Sequence, residues 1–553
     1  MTKYIFVTGG VLSGVGKGIT AASIGSVLKS RGFKINIQKL DPYLNMDAGT
    51  LNPGEHGEVF VTDDGAETDL DIGHYERFLD KSLSGSSSIM AGNIFDKVLS
   101  AEREGKYLGK TVQIIPHITA EIQQEIIDAG KGYDIHITEI GGTVGDYEGL
   151  HFMEAIRQIK RKVGAENVLY LHVVFLPYLE ATKEVKTRPA QYSVKDLRKL
   201  GISPDILVTR SDYNITPSMI DKISLFCDLE PEAIIPMVTV NSIYEIPLII
   251  EKYKCADLIS KILGLTSKSP DLKNWKDLSE RIKKDKKSVK IGLVAKYLTN
   301  KDTYMSVIEA LKSACWYNNV NPEIIWIDAE VLEKDPNKAK EILKNVDGIL
   351  VPGGFGSRGI EGKIISAQYA RENNIPYLGL CLGMQIVTID FSRNVCKLKN
   401  ANSTEFNIKT NYPVIYIMPG QRGIKKKGGT MRLGAYPCVI KKRSRSFDLY
   451  NSSSFEKKIN GQDILIEERH RHRYEFNMKY RKILEEKGFV ISGISPDGKL
   501  VEIIEIENHP FFVGVQFHPE FKSRPNKPHP LFVGFIKALV EGKDNKNLKA
   551  DKF

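Results

Sequence analysis

Short apolar runs alternate with segments of helical periodicity along almost the whole chain. Helix-period segments such as Ile19–Ser30 and Met305–Ala314 lie between the apolar runs. Strands that alternate with helices are typical of parallel sheets covered by helices, so the pattern predicts α/β architecture. The predicted strands are residues 4–7, 34–38, 135–139, 168–175 and 206–209, followed by 289–294, 323–327, 348–351, 377–380 and 501–505.

The strand pattern starts twice, which predicts two separate parallel-sheet α/β domains. Between the two patterns lies a lysine-rich and partly helical connector, from about residue 265 to residue 289. We therefore expect a first domain over residues 1–265, a linker over 266–289, a second domain over 290–541 and a tail over 542–553. The halves share an architecture but no motif, so we find no internal repeat.

The composition of the chain is that of an ordinary globular protein. Among its 553 residues, 42% are hydrophobic and 26% are charged, and no apolar stretch approaches the length needed to cross a bilayer. Six cysteines without paired spacing indicate reduced thiols rather than a disulfide framework. The first residues predict a strand and a glycine loop, so we expect no signal peptide. Together these features predict a cytoplasmic protein that does not bind membranes.

The net charge of +10 raises the question of a nucleic-acid partner. Much of the lysine excess lies in three short runs, at 283–287, 425–427 and 543–552. None of these runs is interleaved with the aromatic residues that a single-strand binding platform needs, so solvated charge explains them better. We therefore expect no nucleic acid among the partners. A basic balance also suits an enzyme that holds several nucleotide polyphosphates.

Cys381 lies in the sequence Gly-Leu-Cys-Leu-Gly, between an apolar strand-like run and a helix-like segment. A nucleophile at such a sharp corner resembles the elbow of acyl-transfer enzymes, and a helix N-terminus lowers the pKa of a thiol. Downstream, His518 and Glu520 supply a base and a carboxylate to orient it. The turn at Gly353–Gly354 offers N–H groups for half an oxyanion hole. These pieces resemble a class I glutamine amidotransferase, whereas the other cysteines are expected to be ordinary buried residues.

A second glycine-rich loop follows the first predicted strand and leads into a helix. Backbone N–H groups at such a corner bind phosphate, and Lys17 adds a positive charge. The loop departs from the strict P-loop, because Gly18 replaces the usual Ser/Thr that holds Mg²⁺. Carboxylates must then hold the metal, and the candidates are Glu139 at a strand end and Asp71, with Asp69 as its rival.

Several long and unusual sequence blocks resemble the CTP synthase family, in which an N-terminal P-loop-like amidoligase domain is fused to a class I glutamine amidotransferase domain. The resemblance spans nearly the whole chain except the connector, the Lys425–Lys427 stretch and the tail. The blocks are Val7–Gly10, Lys39–Tyr43, His56–Val59, Gly73–Phe78, Gly141–Asp146, Asn402–Phe406, Gly428–Gly434 and Glu468–Tyr474.

The resemblance implies that UTP, ATP and glutamine are converted to CTP, ADP, phosphate and glutamate through a 4-phosphorylated UTP intermediate. Lys17 would neutralise the transferring phosphoryl charge, while Asp71 and Glu139 hold Mg²⁺. The residues implied to bind ATP are Gly14, Val15, Gly16, Lys17, Gly18, Ile19, Asp71, Val238, Thr239 and Val240. Those implied to bind UTP or the feedback inhibitor CTP are Ser13, Asp146, Tyr147, Glu148, Lys186, Thr187, Arg188, Pro189, Ala190, Gln191 and Lys222.

For the second half, the resemblance implies that Cys381 attacks glutamine with His518 as base and Glu520 orienting it. His56 would gate the passage of ammonia between the two domains. The family also implies GTP as an allosteric activator and a homotetramer, sometimes assembled into filaments. The residues implied to grip glutamine are Gly354, Leu382, Gly383, Met384, Gln385, Glu405 and Arg473.

Two other function classes compete with this interpretation. A different ATP-dependent amidoligase would share the triad and the phosphate loop but not the block Lys186–Gln191. A regulatory relative without activity would have lost Lys17, Cys381 or His518, and all three are present. One position departs from the family pattern, because Thr239 stands where an Asp is expected beside the adenine.

Overall fold

A computed structural model describes residues 1–266, 268–298, 300–421 and 428–550. Contacts divide the chain into two compact units, one of Met1–Ala48 with Thr68–Lys283 and the other of Gly49–Glu67 with Lys284–Phe553. The predicted linker contains the helix Lys273–Lys283, and the predicted tail begins inside the helix Pro530–Ala550. The Lys425–Lys427 stretch lies outside the described residues. No helix in the described ranges combines the length and the apolar character that a membrane span requires.

The first unit is built on a sheet that has seven strands in the part of the chain that the structure describes. Neighbouring strands run parallel, as the alternation of strands and helices predicts. Every residue of the strand Ile135–Ile140 is buried, because helices cover both faces of the sheet. In spatial order the strands are Ile234–Val238, Ile206–Ser211, Val168–Phe175, Lys3–Gly10, Ile135–Ile140, Ile35–Asp41 and Ser88–Met90.

The helices of the first unit pack apolar faces against this sheet. The helix Leu150–Val163, for example, buries Phe152, Ile156 and Ile159 in a core that also contains Tyr4 and Phe6 of the central strand. A short antiparallel pair joins Tyr178–Leu179 to Glu184–Val185. The helices are Lys17–Ser30, Leu70–Leu79, Ala91–Arg103, Thr119–Gly130, Leu150–Val163, Arg188–Lys199, Pro217–Cys227, Ile246–Lys252, Cys255–Ile262 and Lys273–Lys283.

The second unit is built on a sheet with ten strands among the described residues, parallel in its first half and antiparallel in its second. The parallel half, from Asn321–Asp328 to Phe512–Val515, confirms the predicted α/β class. Among the described residues, the antiparallel half contains the predicted strand Val501–Ile506 and four strands that the sequence pattern did not predict. In spatial order the strands are Asn321–Asp328, Ser288–Ala295, Gly348–Val351, Tyr377–Leu380, Phe512–Val515, Val501–Ile506, Phe489–Ile494, Arg432–Ile440, Asp463–His472 and Lys458–Asn460.

Two apolar clusters form the core of the second unit. One cluster includes Met384 and Val387, and the other includes Val515 and Phe517, so the core extends to the residues beside Cys381 and His518. A small sheet joins Asn402–Ser403, Pro413–Ile417 and Tyr474–Phe476. The helices are Pro53–His56, Met305–Tyr317, Ala329–Lys334, Pro336–Leu343, Ile360–Glu372, Leu382–Asn394, Arg445–Asn451, Arg481–Glu485 and Pro530–Ala550.

Candidate functional site

Cys381 stands at the corner between the strand Tyr377–Leu380 and the helix Leu382–Asn394. Its backbone has φ 50° and ψ −97°, an uncommon conformation for a residue with a side chain, and its N–H donates to the carbonyl of Val515 at 2.7 Å. Glycine is required beside it, because a Cβ on Gly383 would lie 2.2 Å from the carbonyl oxygen of Val351. The sharp corner predicted for the nucleophile is therefore present.

His518 and Glu520 lie together in the same unit as Cys381. The Nδ1 of His518 is 2.7 Å from Oε1 of Glu520, and the imidazole stacks on the ring of Phe521 with centroids 5.1 Å apart. Burial disfavours the imidazolium, but Glu520 and Cys381 outweigh that effect and raise the pKa of His518 to about 10. Among the described residues, no group hydrogen-bonds to the Nε2 of His518. The imidazole thus has one nitrogen fixed by Glu520 and the other available for proton transfer.

The sulfur of Cys381 has two further neighbours. Its S–H donates to the carbonyl of Arg471 at 3.8 Å, and the Nε2 of Gln516 donates to Sγ at 3.6 Å. Gln516 is itself held by Gln385, whose Nε2 donates to its Oε1 at 3.3 Å. Sequence reasoning did not single out Gln516, although it lies two residues before His518. Gln385 therefore acts on the sulfur through Gln516.

The glycine loop Gly353–Gly354 lies beside the imidazole of His518 and beside Lys296 and Lys363. A Cβ on Gly353 would lie 2.7 Å from Cε1 of His518, and one on Gly354 would lie 3.8 Å from Nζ of Lys363. Lys363 is completely buried without a hydrogen-bond partner among the described residues, and burial together with Lys296 lowers its pKa to about 7. The Nζ of Lys296 donates to the carbonyl of Phe355 in the same loop. The sequence offered no sign of either lysine.

Two cavities of the second unit meet at this loop. A cavity of about 680 Å³ is lined by Glu405 and Arg473, two of the residues predicted to bind the substrate glutamine. A cavity of about 180 Å³ is lined by Gly354 and His518. Arg471 lines both cavities, as do Gly49 and Phe355. Of the residues predicted to bind glutamine, Glu405 and Arg473 therefore line the larger cavity and Gly354 lines the smaller one.

Hydrogen bonds fix the two residues of the larger cavity that are predicted to bind glutamine. Glu405 accepts from the N–H of Gly356 at 2.7 Å, and burial raises its pKa. Arg473 donates to Oε1 of Gln421 at 2.6 Å and to Oγ1 of Thr430 at 3.0 Å. These bonds place one acidic and one basic group on the wall of one cavity, which suits an amino acid zwitterion.

The predicted residues Leu382, Gly383 and Met384 follow Cys381 directly in the chain. Leu382 and Met384 are buried in the apolar core, so their side chains contribute to packing. Leu382 and Gly383 form the first turn of the helix, where N–H groups lack partners within the helix. The N–H group of Leu382 is thus suited to bind a developing oxyanion.

The predicted phosphate loop joins the strand Lys3–Gly10 to the helix Lys17–Ser30 in the first unit. Gly14 and Gly16 have φ of 71° and 93°, values that favour glycine. The exposed residues Ser13 and Gly14 form the outer part of the loop, and Val15 and Lys17 are buried. The Nζ of Lys17 donates to the carbonyl of Gly142 at 2.7 Å. Burial lowers the pKa of Lys17, and the carboxylate of Glu139 opposes that shift.

Gly18 explains the departure from the strict P-loop. A Cβ at this position would lie 2.4 Å from Oδ1 of Asp71 and 3.2 Å from Oε2 of Glu139. A Ser or Thr would therefore collide with the two carboxylates that the sequence nominates as metal ligands. The next residue, Ile19, is partly buried within the helix.

The carboxylates form a buried cluster around Lys39, which sequence reasoning did not identify as a functional residue. Lys39 pairs with Asp69 at 2.7 Å and also with Asp71. Asp69 caps the helix Leu70–Leu79 by accepting from the N–H of Asp71 at 2.9 Å. Burial and Asp71 raise the pKa of Glu139 to about 8, although Lys39 and Lys17 lower it. Burial and the neighbouring carboxylates therefore favour the protonated form of Glu139 as long as no further cation is bound.

This donor set fits a magnesium ion that is bound together with a nucleotide. No group of three or more candidate ligand side chains meets within the described ranges, so the protein alone offers no complete cage. Mg²⁺ usually takes one or two carboxylates and completes its shell with phosphates and water. Asp71 and Glu139, which lie against Gly18 at the phosphate loop, meet that requirement.

Thr239 follows the strand Ile234–Val238 and lies close to the phosphate loop. Its Oγ1 donates to Oδ1 of Asp212 at 2.6 Å and accepts from Nη2 of Arg210 at 3.2 Å. The other terminal nitrogen of Arg210 donates to the carbonyl of Val15 at 3.4 Å. Arg210 thus connects Thr239 with the loop, a connection absent from the sequence reasoning. Val240, the next predicted residue, is partly buried.

The residues predicted for UTP and CTP lie on separate elements. Asp146 accepts from the N–H of Thr143 at 2.8 Å, while the adjacent Tyr147 and Glu148 are exposed. Lys222 is exposed on the helix Pro217–Cys227. Within the described ranges, no hydrogen bond or ion pair joins Asp146, Lys186 and Lys222.

The block around Lys186 leads into the helix Arg188–Lys199, which has Pro189 in its first turn. Lys186 pairs with Glu184, and Gln191 donates to Oγ1 of Thr187 at 3.2 Å. Ala190 is buried, whereas the guanidinium of Arg188 lies 5.0 Å from the ring centroid of Tyr192. Lys186 and Arg188 therefore carry the positive charge of this block.

His56 ends the short helix Pro53–His56 and is exposed. Its neighbours Pro53, Glu58 and Val59 line the 180 Å³ cavity that His518 also lines. His56 itself is not among the lining residues, but residues on both sides of it line the same cavity as His518.

Comparison with known proteins matches the chain to two family models, one in each half of the sequence. Residues 3–265 match the family model described as CTP synthase N-terminus, and residues 300–538 match the model described as glutamine amidotransferase class-I. A CTP synthase from Carboxydothermus hydrogenoformans is 55% identical over 98% of this chain and 99% of its own length. One from Bacillus subtilis is 51% identical over 99% of this chain and 100% of its own length. A solved Trypanosoma brucei glutaminase domain with bound acivicin is 40% identical over 46% of this chain and 94% of its own, with a TM-score of 0.42.

Proposed function

This chain belongs to the CTP synthase family, and from that membership we propose how its residues divide the work of the reaction. It is a ligase that aminates UTP to CTP, with ATP as the energy source and glutamine as the nitrogen source. Gly18 is the observation that carries the residue assignment, because it brings the phosphate loop against the carboxylates of Asp71 and Glu139.

The first unit performs the phosphorylation in this proposal. The 4-oxygen of uracil is a poor leaving group, so the γ-phosphoryl group of ATP is first transferred to it. Lys17, at the start of the helix, neutralises the charge on the phosphoryl group in transfer, and Gly14–Ile19 wrap the phosphates. Asp71 and Glu139 hold the magnesium ion, which when bound neutralises charge on the nucleotide phosphates. Asp69 caps its helix by accepting from the N–H of Asp71, whereas the carboxylate of Asp71 lies against Gly18 of the phosphate loop, which supports Asp71 as the ligand.

The second unit releases ammonia from glutamine. His518, whose pKa is raised to about 10, stabilises the thiolate of Cys381 for attack on the amide carbon. The N–H groups of Gly354 and Leu382 bind the oxyanion, at about 2.7–4 kcal/mol per donor. His518 then protonates the leaving ammonia and later removes a proton from the water that hydrolyses the thioester. Glu405 and Arg473 bind the amino acid ends of glutamine.

Ammonia then replaces the phosphorylated oxygen at C4 of the pyrimidine, which yields CTP and phosphate. We assign His56 to gating that ammonia, supported by its neighbours on the wall of the His518 cavity. Ser13, Asp146–Glu148, Lys186–Gln191 and Lys222 are assigned to UTP or CTP by family likeness.

Other family properties complete the proposal. GTP activates glutamine hydrolysis, CTP inhibits the enzyme, and the cytoplasmic protein forms homotetramers that are capable of filament assembly. Along the sequence, the amidoligase domain covers residues 1–265, apart from Gly49–Glu67, which pack in the second unit, and the glutamine amidotransferase domain covers 290–541. Family membership supports each of these points, and mass photometry with and without nucleotides measures the tetramer directly.

One absorbance assay tests the proposed reaction. Purified protein mixed with UTP, ATP, Mg²⁺ and glutamine should change the nucleotide absorbance as CTP forms, with one glutamate released per CTP. Omission of any one component should stop the reaction, and ammonium chloride should restore it when glutamine is the component omitted. Formation of a different aminated product, with UTP unchanged, would favour another amidoligase.

Substitution of Thr239 by Asp tests the adenine assignment. In the proposal a backbone carbonyl at this position accepts the exocyclic amine, so the side chain matters little. We expect Thr239→Asp to change the affinity for ATP by no more than about 1 kcal/mol, with ATP still preferred over GTP. Isothermal titration calorimetry measures both affinities. A gain well beyond roughly tenfold would show that the side chain is the main adenine contact.

Substitution of Glu520 by Gln tests the origin of the raised pKa of His518. Without the carboxylate, burial favours the neutral imidazole, so the pKa should fall by more than about one unit, or 1.36 kcal/mol. Near neutral pH the thiolate of Cys381 then loses its cationic partner. We expect glutamine hydrolysis to fall roughly 10²–10⁴-fold, and the pH midpoint of Cys381 alkylation by iodoacetamide to rise. Glu507→Gln, which changes an exposed carboxylate, is the control and should behave as the unmodified protein. An alkylation midpoint that stays unchanged in Glu520→Gln would contradict the assignment.

A further inference from the structure

Residues Gly49–Glu67, here called the inserted segment, belong to the second unit although the first unit precedes and follows them in the chain. The segment is well anchored. The carboxylate of Glu58 accepts from the N–H and hydroxyl of Ser306, and the carbonyl of Pro53 accepts from Oγ1 of Thr303 at 2.8 Å. The segment is thus a structural part of the glutamine-hydrolysing unit.

The inserted segment binds two arginines of the strand Asp463–His472. Nε of Arg469 donates to Oδ1 of Asp63 at 2.6 Å, and its Nη1 donates to the carbonyl of Val61 at 3.0 Å. Nε of Arg471 donates to Oε1 of Glu67 at 2.8 Å. The side chain of Arg469 is completely buried, so its guanidinium depends on these acceptors for compensation.

The same two arginines hold the catalytic residues through their backbone. The N–H of His518 donates to the carbonyl of Arg469 at 2.8 Å, and the S–H of Cys381 donates to the carbonyl of Arg471 at 3.8 Å. Each arginine therefore connects a carboxylate of the inserted segment with one member of the Cys–His pair.

A ring contact provides a third connection. Phe60 of the inserted segment packs edge-on against Phe521 with centroids 4.9 Å apart, and Phe521 stacks on the imidazole of His518 at 5.1 Å. The guanidinium of Arg469 lies 5.3 Å from the centroid of the Phe60 ring. The position of His518 thus depends on the segment both through its backbone and through its ring.

We propose that the inserted segment positions the catalytic pair, with Asp63 and Glu67 as positioning residues for glutamine hydrolysis. Asp63 fixes the carbonyl that holds His518, and Glu67 fixes the carbonyl that faces the sulfur of Cys381. The inference rests on the proposed catalytic roles of Cys381 and His518. Since the chain on both sides of the segment belongs to the first unit, glutamine hydrolysis is covalently tied to the nucleotide-binding unit at both ends of the segment.

The Asp63 position allows a graded test. The Asp63 carboxylate is 38% exposed, and Arg469 keeps the carbonyl of Val61 as an acceptor when Asp63 is replaced. Asp63→Ala should lower kcat for glutamine hydrolysis between about tenfold and a hundredfold, with a smaller change in KM. Asp63→Asn, which keeps an acceptor oxygen for Arg469, should retain more activity. Glu467→Ala, an exposed carboxylate of the same strand, is the control and should match the unmodified protein.

A chemical readout separates positioning from general destabilisation. Glu67→Gln should lower the rate of Cys381 alkylation by iodoacetamide at a fixed pH together with kcat for glutamine hydrolysis, while the rate of CTP formation from ammonia stays unchanged. Unaltered hydrolysis in Asp63→Ala, or equal loss of the glutamine-dependent and ammonia-dependent rates, would overturn the inference. Failure of the proposed function has a different result, namely glutamine hydrolysis that persists in Cys381→Ala.

Discussion

Lys17→Ala should abolish CTP formation from glutamine and from ammonia alike, by at least about 10³-fold. Phosphorylation of UTP precedes amination whatever the nitrogen source, so loss of the phosphate loop stops both. Lys17 is the buried cation of that loop, with its Nζ 2.7 Å from the carbonyl of Gly142. Steady-state assays with glutamine and with ammonium chloride, at saturating UTP and ATP, measure the two rates.

The control for that substitution is Lys34→Ala, which removes an exposed lysine of the same unit. Both of its rates should equal those of the unmodified protein. Ammonia-dependent turnover retained in Lys17→Ala would contradict the assignment of the loop to the transferring phosphate. Unfolding midpoints that agree among the three proteins exclude a loss of structure as the cause.

Cys381→Ala should abolish glutamine-dependent CTP formation, by about 10⁴-fold or more, and leave the ammonia-dependent rate within about twofold. The substitution removes the nucleophile that releases ammonia, whereas the phosphorylation residues lie in the other unit. The same two assays with this variant give both rates.

A second cysteine supplies the matched control. Cys396 is only partly buried in the same unit and donates to the carbonyl of Ile483 at 3.6 Å. Cys396→Ala should keep both activities. Loss of both activities in Cys381→Ala alone would show that amination and glutamine hydrolysis are not separable in the way we propose.

Local sequence features predicted the backbone geometry at Cys381. The glycines around Cys381 indicated a corner, and the structure confirms that the residue has a positive φ at a strand–helix junction. The absence of Ser or Thr after Lys17 indicated carboxylate ligands, and Gly18 indeed lies against Asp71 and Glu139. The corner at Cys381 depends on neighbours within a few residues, which a single sequence displays.

Groups that act over long chain separations escaped prediction. A lysine such as Lys363 looks like any surface lysine in the sequence, and only the folded chain buries it beside Gly354. Likewise, no pattern in residues 49–67 indicates that Asp63 binds Arg469, more than 400 positions away in the chain. The strand Arg432–Ile440 is not among the predicted strands, and its first residues follow a stretch rich in glycine and lysine that shows no strand pattern.

The path of the uracil 4-oxygen tests the central claim most directly, namely that UTP is phosphorylated before it is aminated. UTP labelled with ¹⁸O at the 4-position is converted with ATP, Mg²⁺ and glutamine, and the products are examined by mass spectrometry. Prior phosphorylation predicts one ¹⁸O atom in the released phosphate for each CTP formed. Appearance of the label in water, with unlabelled phosphate, would contradict the 4-phosphorylated intermediate.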